Sequence, residues 1–256
     1  RNLVPQKGTK FLKSHIVTSQ IEHESVLSSL VLLEQEGLAE VTYIPVDKEG
    51  LVRVEDVKNA VKENTALVSI MYANSEIGTV QPIAEIGEMI RELKTTLRQN
   101  SGQANYKLKT VFHTDAVQAV QFLDCDVQKL KVDLLTVSSH KIYGPKGAGA
   151  LYVKDGISIA PLIYGGGQEQ GMRSGTENVA AIVGMGVAIQ EVQNPKSKIQ
   201  AIKIRQLRDL LIRGILKNVK GAELTGSKTS RLPNNVHVRV QGVEGRDMVV
   251  SLDQKG

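Results

Sequence analysis

The chain has 256 residues, of which 41% are hydrophobic and 23% are charged, as is typical of a globular protein with a large core. The net charge of +5 is mild, aromatic residues make up 4% and tryptophan is absent, which disfavours a nucleic-acid-binding surface. No apolar run approaches the roughly 20 residues that span a bilayer, and the single cysteine, Cys125, excludes an internal disulfide or a multi-cysteine metal site.

Segments typical of strands alternate with segments typical of helices along most of the chain. Helices are predicted at 23–36, at 55–64, from Pro82 onward and at 177–192. Strands are predicted at 15–19, 41–46, 66–73, 110–116, 133–139, 149–154 and 157–164, and the polar residues 98–107 are predicted to form a surface loop. This alternation predicts an α/β domain with a mostly parallel sheet.

The pair Asn194-Pro195 predicts a break in the chain. A helix is predicted at 198–219, followed by the short segments AELTG and PNNVHVRV and a helix-like end, GRDMVVSLDQKG. We therefore expect residues 1–195 to form a large domain and residues 196–256 to begin a small α+β C-terminal domain.

Polar side chains follow three of the predicted strands at the point where each strand ends. Asn74 and Ser75 follow one strand. Asp115 lies at the end of a second strand and Gln118 follows it, while residues 138–141 lie at and after the end of a third. In open α/β sheets, ligands bind beyond the carboxyl ends of the strands. The sequence therefore predicts a ligand site at this edge.

Lys141 lies in VSSHKIYGPKGAG, between a strand and a glycine-rich turn. A lysine is ordinarily a solvated surface residue, but a partly buried lysine at a cleft can be a nucleophile that forms a Schiff base with an aldehyde. The neighbouring Ser138, Ser139 and His140 are suitable partners for a phosphate or a carboxylate. A Schiff-base lysine and a surface lysine both remain open from these residues alone.

Asp115 ends the predicted strand TVFHTDA, where its carboxylate could hold a cation, a metal or a protonated ring nitrogen. Alternatively, it could cap a helix that begins in AVQAV. Together with Lys141, however, it suggests pyridoxal phosphate, whose chemistry needs a lysine and an acidic partner for the pyridine nitrogen.

Two further features are ambiguous. His23 opens a predicted helix, where it could be a cap, or could stack on a planar ring and move protons near neutral pH. The glycine-rich loop 165–178 contains Arg173, Ser174 and Thr176 and leads into a helix whose N-terminus could bind an anion.

Six segments occur in the order found in one enzyme family: HIVTSQIEHESVL, YANSEIGTVQPI, FHTDAVQA, SSHKIYGPKGAGALYV, GGGQEQGMRSGTEN and PNNVHVRVQGVEG. On these motifs the chain resembles the cysteine desulfurases, which belong to the class V aminotransferases among fold-type I pyridoxal-phosphate enzymes. The resemblance covers nearly the whole chain and implies a three-layer α/β fold with a mostly parallel sheet. It also implies that pyridoxal 5'-phosphate is the cofactor and L-cysteine the substrate.

The resemblance also implies a role for each candidate residue. Lys141 would anchor the cofactor, Asp115 would bond its pyridine nitrogen, and His23 would stack on the ring and assist proton transfer. The remaining contacts would be Gln118 to the ring oxygen, Ser138 and His140 to the phosphate, Asn74 or Ser75 to cofactor or substrate, and Thr176 to the phosphate of a partner subunit. A homodimer is thus implied, together with a sulfur-acceptor or scaffold protein, without direct contacts to nucleic acid or membrane.

Two parts of the family pattern are not found in this sequence: an early phosphate-binding loop and a late cysteine that accepts sulfur. We expect Cys125 to be a structural or surface thiol, the chain to be an internal fragment that does not complete sulfur transfer, and the protein to be cytoplasmic. Alternatives are a selenocysteine lyase, another class V aminotransferase-type enzyme or epimerase, and a catalytically inert fragment.

Overall fold

The structure is a computed structural model that describes residues 13–100 and 110–255. Its large sheet contains β1 (Ser14–Ser19), β2 (Ala39–Ile44), β3 (Thr65–Ser69), β4 (Val111–Asp115), β5 (Leu134–Ser138) and β6 (Gly149–Val153). The strands lie in the order β2-β1-β3-β4-β5-β6, and all neighbours are parallel except β5 and β6. The predicted α/β fold with a mostly parallel sheet is therefore confirmed.

Helices connect the strands and continue beyond the large sheet. The described helices are α1 (Glu24–Gln35), α2 (Val54–Ala60), α3 (Ile83–Asn100), α4 (Val127–Leu130), α5 (Val179–Gln193), α6 (Pro195–Asn218) and α7 (Gly245–Asp253). Two short strands, β7 (Ala222–Leu224) and β8 (Val238–Val240), pair antiparallel in a separate sheet.

The core lies against the central strands of the large sheet. Val17 and Val68 on β1 and β3 are fully buried, and Phe112 on β4 is only 1% exposed. They belong to one buried cluster with the apolar face of α3, which includes Ile83 and Ile86. Strands that are covered on both faces read as near-continuous apolar runs, which is why these strands could be located from sequence.

One predicted strand is absent from the structure. Residues 157–164 were expected to form a strand, but they form bends and irregular backbone. Pro161 has no N–H to donate to a ladder, while the side chains of Leu162 and Tyr164 are 95% and 80% exposed. The apolar character of this segment therefore does not reflect burial within the described chain.

Other boundaries shift by a few residues. Strand β3 ends at Ser69 instead of residue 73, and α2 ends at Ala60 instead of residue 64. Helix α3 continues to Asn100, so the first residues of the predicted 98–107 loop are helical, while 101–107 lie outside the described residues.

Helix α6 and the two-stranded sheet are joined to the large sheet through the segment before β8. Nη1 of Arg208 on α6 donates hydrogen bonds to the carbonyl oxygens of Arg231 and Leu232 at 3.1 and 2.9 Å. The backbone N–H of Val80 donates to the carbonyl of Ser230 at 2.8 Å. Helix α6 begins at Pro195, capped by Asn194, close to the predicted boundary.

Within residues 13–100 and 110–255, we find no helix with the length and apolarity required to cross a membrane. The same residues contain no cluster of three or more His, Cys, Asp or Glu side chains that could hold a metal ion.

Candidate active site

The carboxyl ends of four neighbouring parallel strands lie at one edge of the large sheet. Strand β1 ends at Ser19 beside β3, which ends at Ser69, and β4 ends at Asp115 beside Thr136 of β5. Residues at or just after these ends include His23, Asn74, Ser75, Asp115, Gln118, Ser138, His140 and Lys141. The edge thus carries all the predicted site residues except Thr176.

Asp115 is half-buried at the end of β4. Its Oδ1 accepts a hydrogen bond from the backbone N–H of Val117 at 2.9 Å, so the carboxylate caps the following turn, although residues 116–123 do not form an α-helix. Among the described residues, its other carboxylate oxygen accepts no hydrogen bond, which leaves it available to a cationic group. Gln118 lies three residues later in the same turn and is also half-buried.

Lys141 lies in a short 3₁₀ turn, Ser139–Ile142, that follows β5 directly. Ser139 and Ile142 point into the protein and are 0% and 2% exposed. Since positions i and i+3 share one side of a 3₁₀ turn, His140 and Lys141 point outward and are exposed. Of the two environments considered for Lys141, the described chain therefore shows the exposed one.

A close backbone approach fixes this turn. Gly144 donates its N–H to the carbonyl of Ser139 at 3.0 Å, and a Cβ on Gly144 would collide with Ser139 Oγ. Tyr143 adopts a left-handed conformation with φ 66°, which reverses the chain after the turn. Glycine is thus required at 144 for the backbone that presents Lys141.

Two polar side chains, Ser138 and His140, lie just before Lys141 in the chain. Oγ of Ser138 lies 2.8 Å from Nδ1 of His140. A hydroxyl and an imidazole at this position can donate hydrogen bonds to an anion. They supply the polar partners that the sequence suggests for a phosphate or carboxylate.

His23 is the N-cap of α1. Its Nδ1 accepts the backbone N–H of Ser25 at 3.2 Å and lies 2.8 Å from Ser25 Oγ. Because Nδ1 is an acceptor, the proton of the neutral ring is on Nε2. The side chain is exposed, so His23 both caps the helix and presents Nε2–H at this edge.

Asn74 and Ser75 have different environments. Oδ1 of Asn74 accepts the backbone N–H groups of Glu76 and Ile77, each at 2.9 Å, and its Nδ2 donates to the carbonyl of Ile21, also at 2.9 Å. Asn74 is buried, whereas Ser75 is exposed. The Asn74 amide therefore organises the loop, and the Ser75 hydroxyl is the more accessible group.

Glu22 was not identified from sequence, although it lies directly before His23. It is 5% exposed, and its Oε1 accepts hydrogen bonds from Ser19 Oγ at 2.6 Å and from the backbone N–H of Met71 at 2.8 Å. Burial, followed by weaker repulsion from Asp115, raises the pKa of Glu22 to about 7. The only sequence signal was an acidic residue between a buried strand and a candidate histidine.

Thr176 lies apart from the other candidate residues. It is exposed and lines a cavity of about 680 Å³ with Gly147 of the β5–β6 connection and Met185 of α5. The preceding Ser174 is buried, and its Oγ accepts the backbone N–H of Gly167 at 3.3 Å. Hence Ser174 stabilises the glycine-rich loop, while Thr176 remains accessible.

Cys125 is half-buried and packs against the main core cluster. Burial, followed by repulsion from Asp124, raises the pKa of its thiol to about 12. The thiolate is the nucleophilic form of cysteine, so this environment suits a structural residue.

The family described as aminotransferase class-V matches residues 2–256. Cysteine desulfurase IscS of Clostridium botulinum strain Hall is 47% identical over 246 residues, which are 95% of this chain and 57% of that protein. The Methanosarcina thermophila protein of the same name is 46% identical over 242 residues, covering 94% of this chain and 55% of that protein. The chain thus spans little more than half the length of these relatives.

Solved structures show the same likeness. A NifS-like protein superposes with a TM-score of 0.85 at 36% identity, covering 96% of this chain and 63% of that one. A structure titled "SspA in complex with cysteine" superposes with a TM-score of 0.74 at 35% identity, covering 95% of this chain and 62% of that one.

Proposed function

Since the chain belongs to the class V aminotransferase family, we propose that it forms the cofactor-binding part of a cysteine desulfurase that uses pyridoxal 5'-phosphate. The observation that carries the proposal is one sheet edge at which Asp115, His23 and the turn with Lys141 follow neighbouring parallel strands. The 46–47% identity to proteins named cysteine desulfurase IscS supports this choice within the family.

The groups at this edge fit pyridoxal phosphate. Lys141 supplies an exposed amine for covalent attachment, and Asp115 supplies a carboxylate oxygen for the pyridine N–H. Ser138 and His140 supply donors for the phosphate beside the lysine. When bound, the cofactor supplies an aldehyde and a protonated ring that withdraws electrons from the substrate Cα.

The remaining side chains act on the substrate and the ring. His23 would stack on the ring and would move a proton at Nε2, since its Nδ1 is already used as a cap acceptor. Gln118 would reach the ring oxygen. Ser75, more than Asn74, would contact the cofactor or the substrate, because the Asn74 amide is used within its own loop.

We propose L-cysteine as the substrate, with L-alanine and a protein-bound persulfide as products. A related solved structure is titled as a complex with cysteine, which supports the substrate class. We assign sulfur acceptance to a thiol other than Cys125, because burial keeps Cys125 protonated. The persulfide would supply iron–sulfur cluster assembly or tRNA thiolation in a cytoplasmic compartment, through an acceptor or scaffold protein.

We propose that two chains associate and that Thr176 of one contacts the phosphate held by the other. Helix α5 exposes a row of apolar side chains at helical spacing, namely Val179, Ile182, Val183 and Val187. Such a row is typical of an association surface, and α5 begins three residues after Thr176.

The test is borohydride reduction of the chain after incubation with pyridoxal phosphate, followed by digestion and mass spectrometry. We expect labelling confined to the peptide with Lys141 and lost in Lys141→Ala, because Lys141 directly follows the proposed phosphate donors Ser138 and His140. Lys146→Ala is the matched control, since Lys146 is an exposed lysine in the same connection.

Unselective labelling of several lysines, or equal labelling of both variants, would contradict the cofactor site. Asp115→Asn should keep the covalent label but alter the absorption spectrum of the bound cofactor. That result separates the anchor from the group that bonds the ring.

A further inference from the structure

Glu22 lies where the strand order of the large sheet reverses. The chain passes from β1 to β2 on one side and then to β3 on the other side of β1, so the crevice between the carboxyl ends of β1 and β3 is a topological switch point. Ligands of open α/β sheets bind in this crevice. Glu22 follows β1 by three residues and reaches the segment after β3.

Two hydrogen bonds tie the turn 20–23 to the segment 71–74. The backbone N–H of Met71 donates to Glu22 Oε1 at 2.8 Å, and Nδ2 of Asn74 donates to the carbonyl of Ile21 at 2.9 Å. Ser19 Oγ also donates to Glu22 Oε1, at 2.6 Å. The chain thus links the residue before His23 to the segment that precedes Asn74 and Ser75.

The other oxygen of this carboxyl is not compensated. Oε2 of Glu22 is buried and has no hydrogen-bond partner among the described residues. No described Lys or Arg forms an ion pair with Glu22. An ionised carboxylate needs donors on both oxygens, so its burial here is costly.

The ionisable neighbours of Glu22 also favour the neutral form. The hydrogen bonds from Ser19 and Met71 lower the pKa of Glu22, but burial outweighs them and repulsion from Asp115 adds to burial, so that the pKa is raised to about 7. The adjacent His23 and Glu24 have exposed side chains, which water screens. Glu22 therefore gains its charge within the physiological pH range.

We propose that Glu22 is a positioning residue of this site: its protonated carboxyl locks the turn before His23 onto the segment after β3, and its ionisation releases that lock. The inference rests on the proposed function only in treating His23 and Ser75 as parts of a cofactor site. Its physical content is a proton-dependent link between two loops, which exists with or without a cofactor.

The test is hydrogen exchange of the peptide spanning residues 20–27 in the cofactor-free chain, measured from pH 5 to 8.5 and corrected for intrinsic exchange rates. Opening of the turn returns Glu22 to a normal pKa and releases a proton between pH 5 and 7. The opening constant of the wild type relative to Glu22→Gln should therefore rise by up to about tenfold per pH unit in that window and level off above it.

Two variants sharpen the test. Glu36→Gln changes an exposed carboxylate after the same helix and should follow the wild-type profile. Ser19→Ala removes a hydrogen bond that lowers the pKa of Glu22, so it should move the levelling point to higher pH while Glu22 is retained. A constant ratio between wild type and Glu22→Gln, together with an unmoved profile in Ser19→Ala, would overturn the proposal.

A second readout connects the lock to the cofactor. The dissociation constant of pyridoxal phosphate, measured by absorbance, should rise more steeply for the wild type than for Glu22→Gln between pH 5 and 7, and the two should run parallel above pH 7. If no chain binds the cofactor but the exchange profiles hold, the proposed function fails and the Glu22 lock stands. If the cofactor binds and the profiles are flat, the lock fails and the proposed function stands.

Discussion

Helices α3 and α5 both carry apolar rows, but the first turns of α3 bury theirs against the large sheet, whereas the row on α5 is largely exposed within the described chain. On α3, Ile83, Ile86 and Ile90 are at most 2% exposed against the large sheet. On α5, Ile182 and Val183 are 49% and 59% exposed, although its opposite side buries Ala181 and Met185. An apolar pattern thus predicts burial but does not show which chain supplies the covering surface.

The largest effect is expected in the buried core beneath α3. Phe112→Ala should lower the free energy of unfolding by about 3–5 kcal/mol, because it leaves a cavity in β4 beneath α3. Phe122→Ala is the matched control and should cost less, since Phe122 is half-buried and water can fill part of the space that its side chain leaves. Chemical denaturation measures both; equal losses would mean that the core is not centred on β4.

An intermediate effect is expected at the joint between the two sheets. Arg208→Met should lower the free energy of unfolding by about 1–3 kcal/mol, because the buried carbonyls of Arg231 and Leu232 lose their donor. Arg205→Met, on the exposed side of α6, should stay within about 0.5 kcal/mol of the wild type. Identical denaturation midpoints for the two variants would contradict the role of Arg208 in joining α6 to the segment before β8.

The smallest effect on the free energy of unfolding is expected in the exposed apolar row of α5. Val183→Ser should change the free energy of unfolding of the single chain by less than about 0.5 kcal/mol, because the side chain is already exposed. Its self-association, measured by sedimentation, should nevertheless weaken relative to Val31→Ser, which changes an exposed valine on α1. Unchanged association would remove α5 from the proposed dimer surface.

The sheet could be predicted because its interior strands are short apolar runs that end in polar residues. Asp115 and Ser138 mark the ends of β4 and β5 within one residue of the expectation. The same reasoning failed for residues 157–164, where an equally apolar run contains Pro161 and remains largely exposed. Local hydrophobicity does not distinguish a strand in the core from a loop with apolar side chains.

The candidate site was predictable where chemistry is visible in a single residue type, as for Lys141 and Asp115. Glu22 was not predictable, because its burial depends on a backbone N–H at Met71, 49 residues away. The exposure of Lys141 was left open, because it depends on which residues of the 3₁₀ turn face inward, and the structure shows that these are Ser139 and Ile142. The burial of Ser139 and Ile142, like that of Glu22, depends on packing against distant segments that no local pattern encodes.

The antiparallel pairing of β5 with β6 has a consequence for the order of folding. The connection between them is only ten residues long, from 139 to 148, and it contains Lys141. Local pairings close small loops and form quickly, whereas the hydrogen bonds that join two loops of the site, Met71 to Glu22 and Asn74 to Ile21, span 49 and 53 residues. We therefore expect the β5–β6 hairpin, with its amine at Lys141, to acquire amide protection before the loops that complete the site around it.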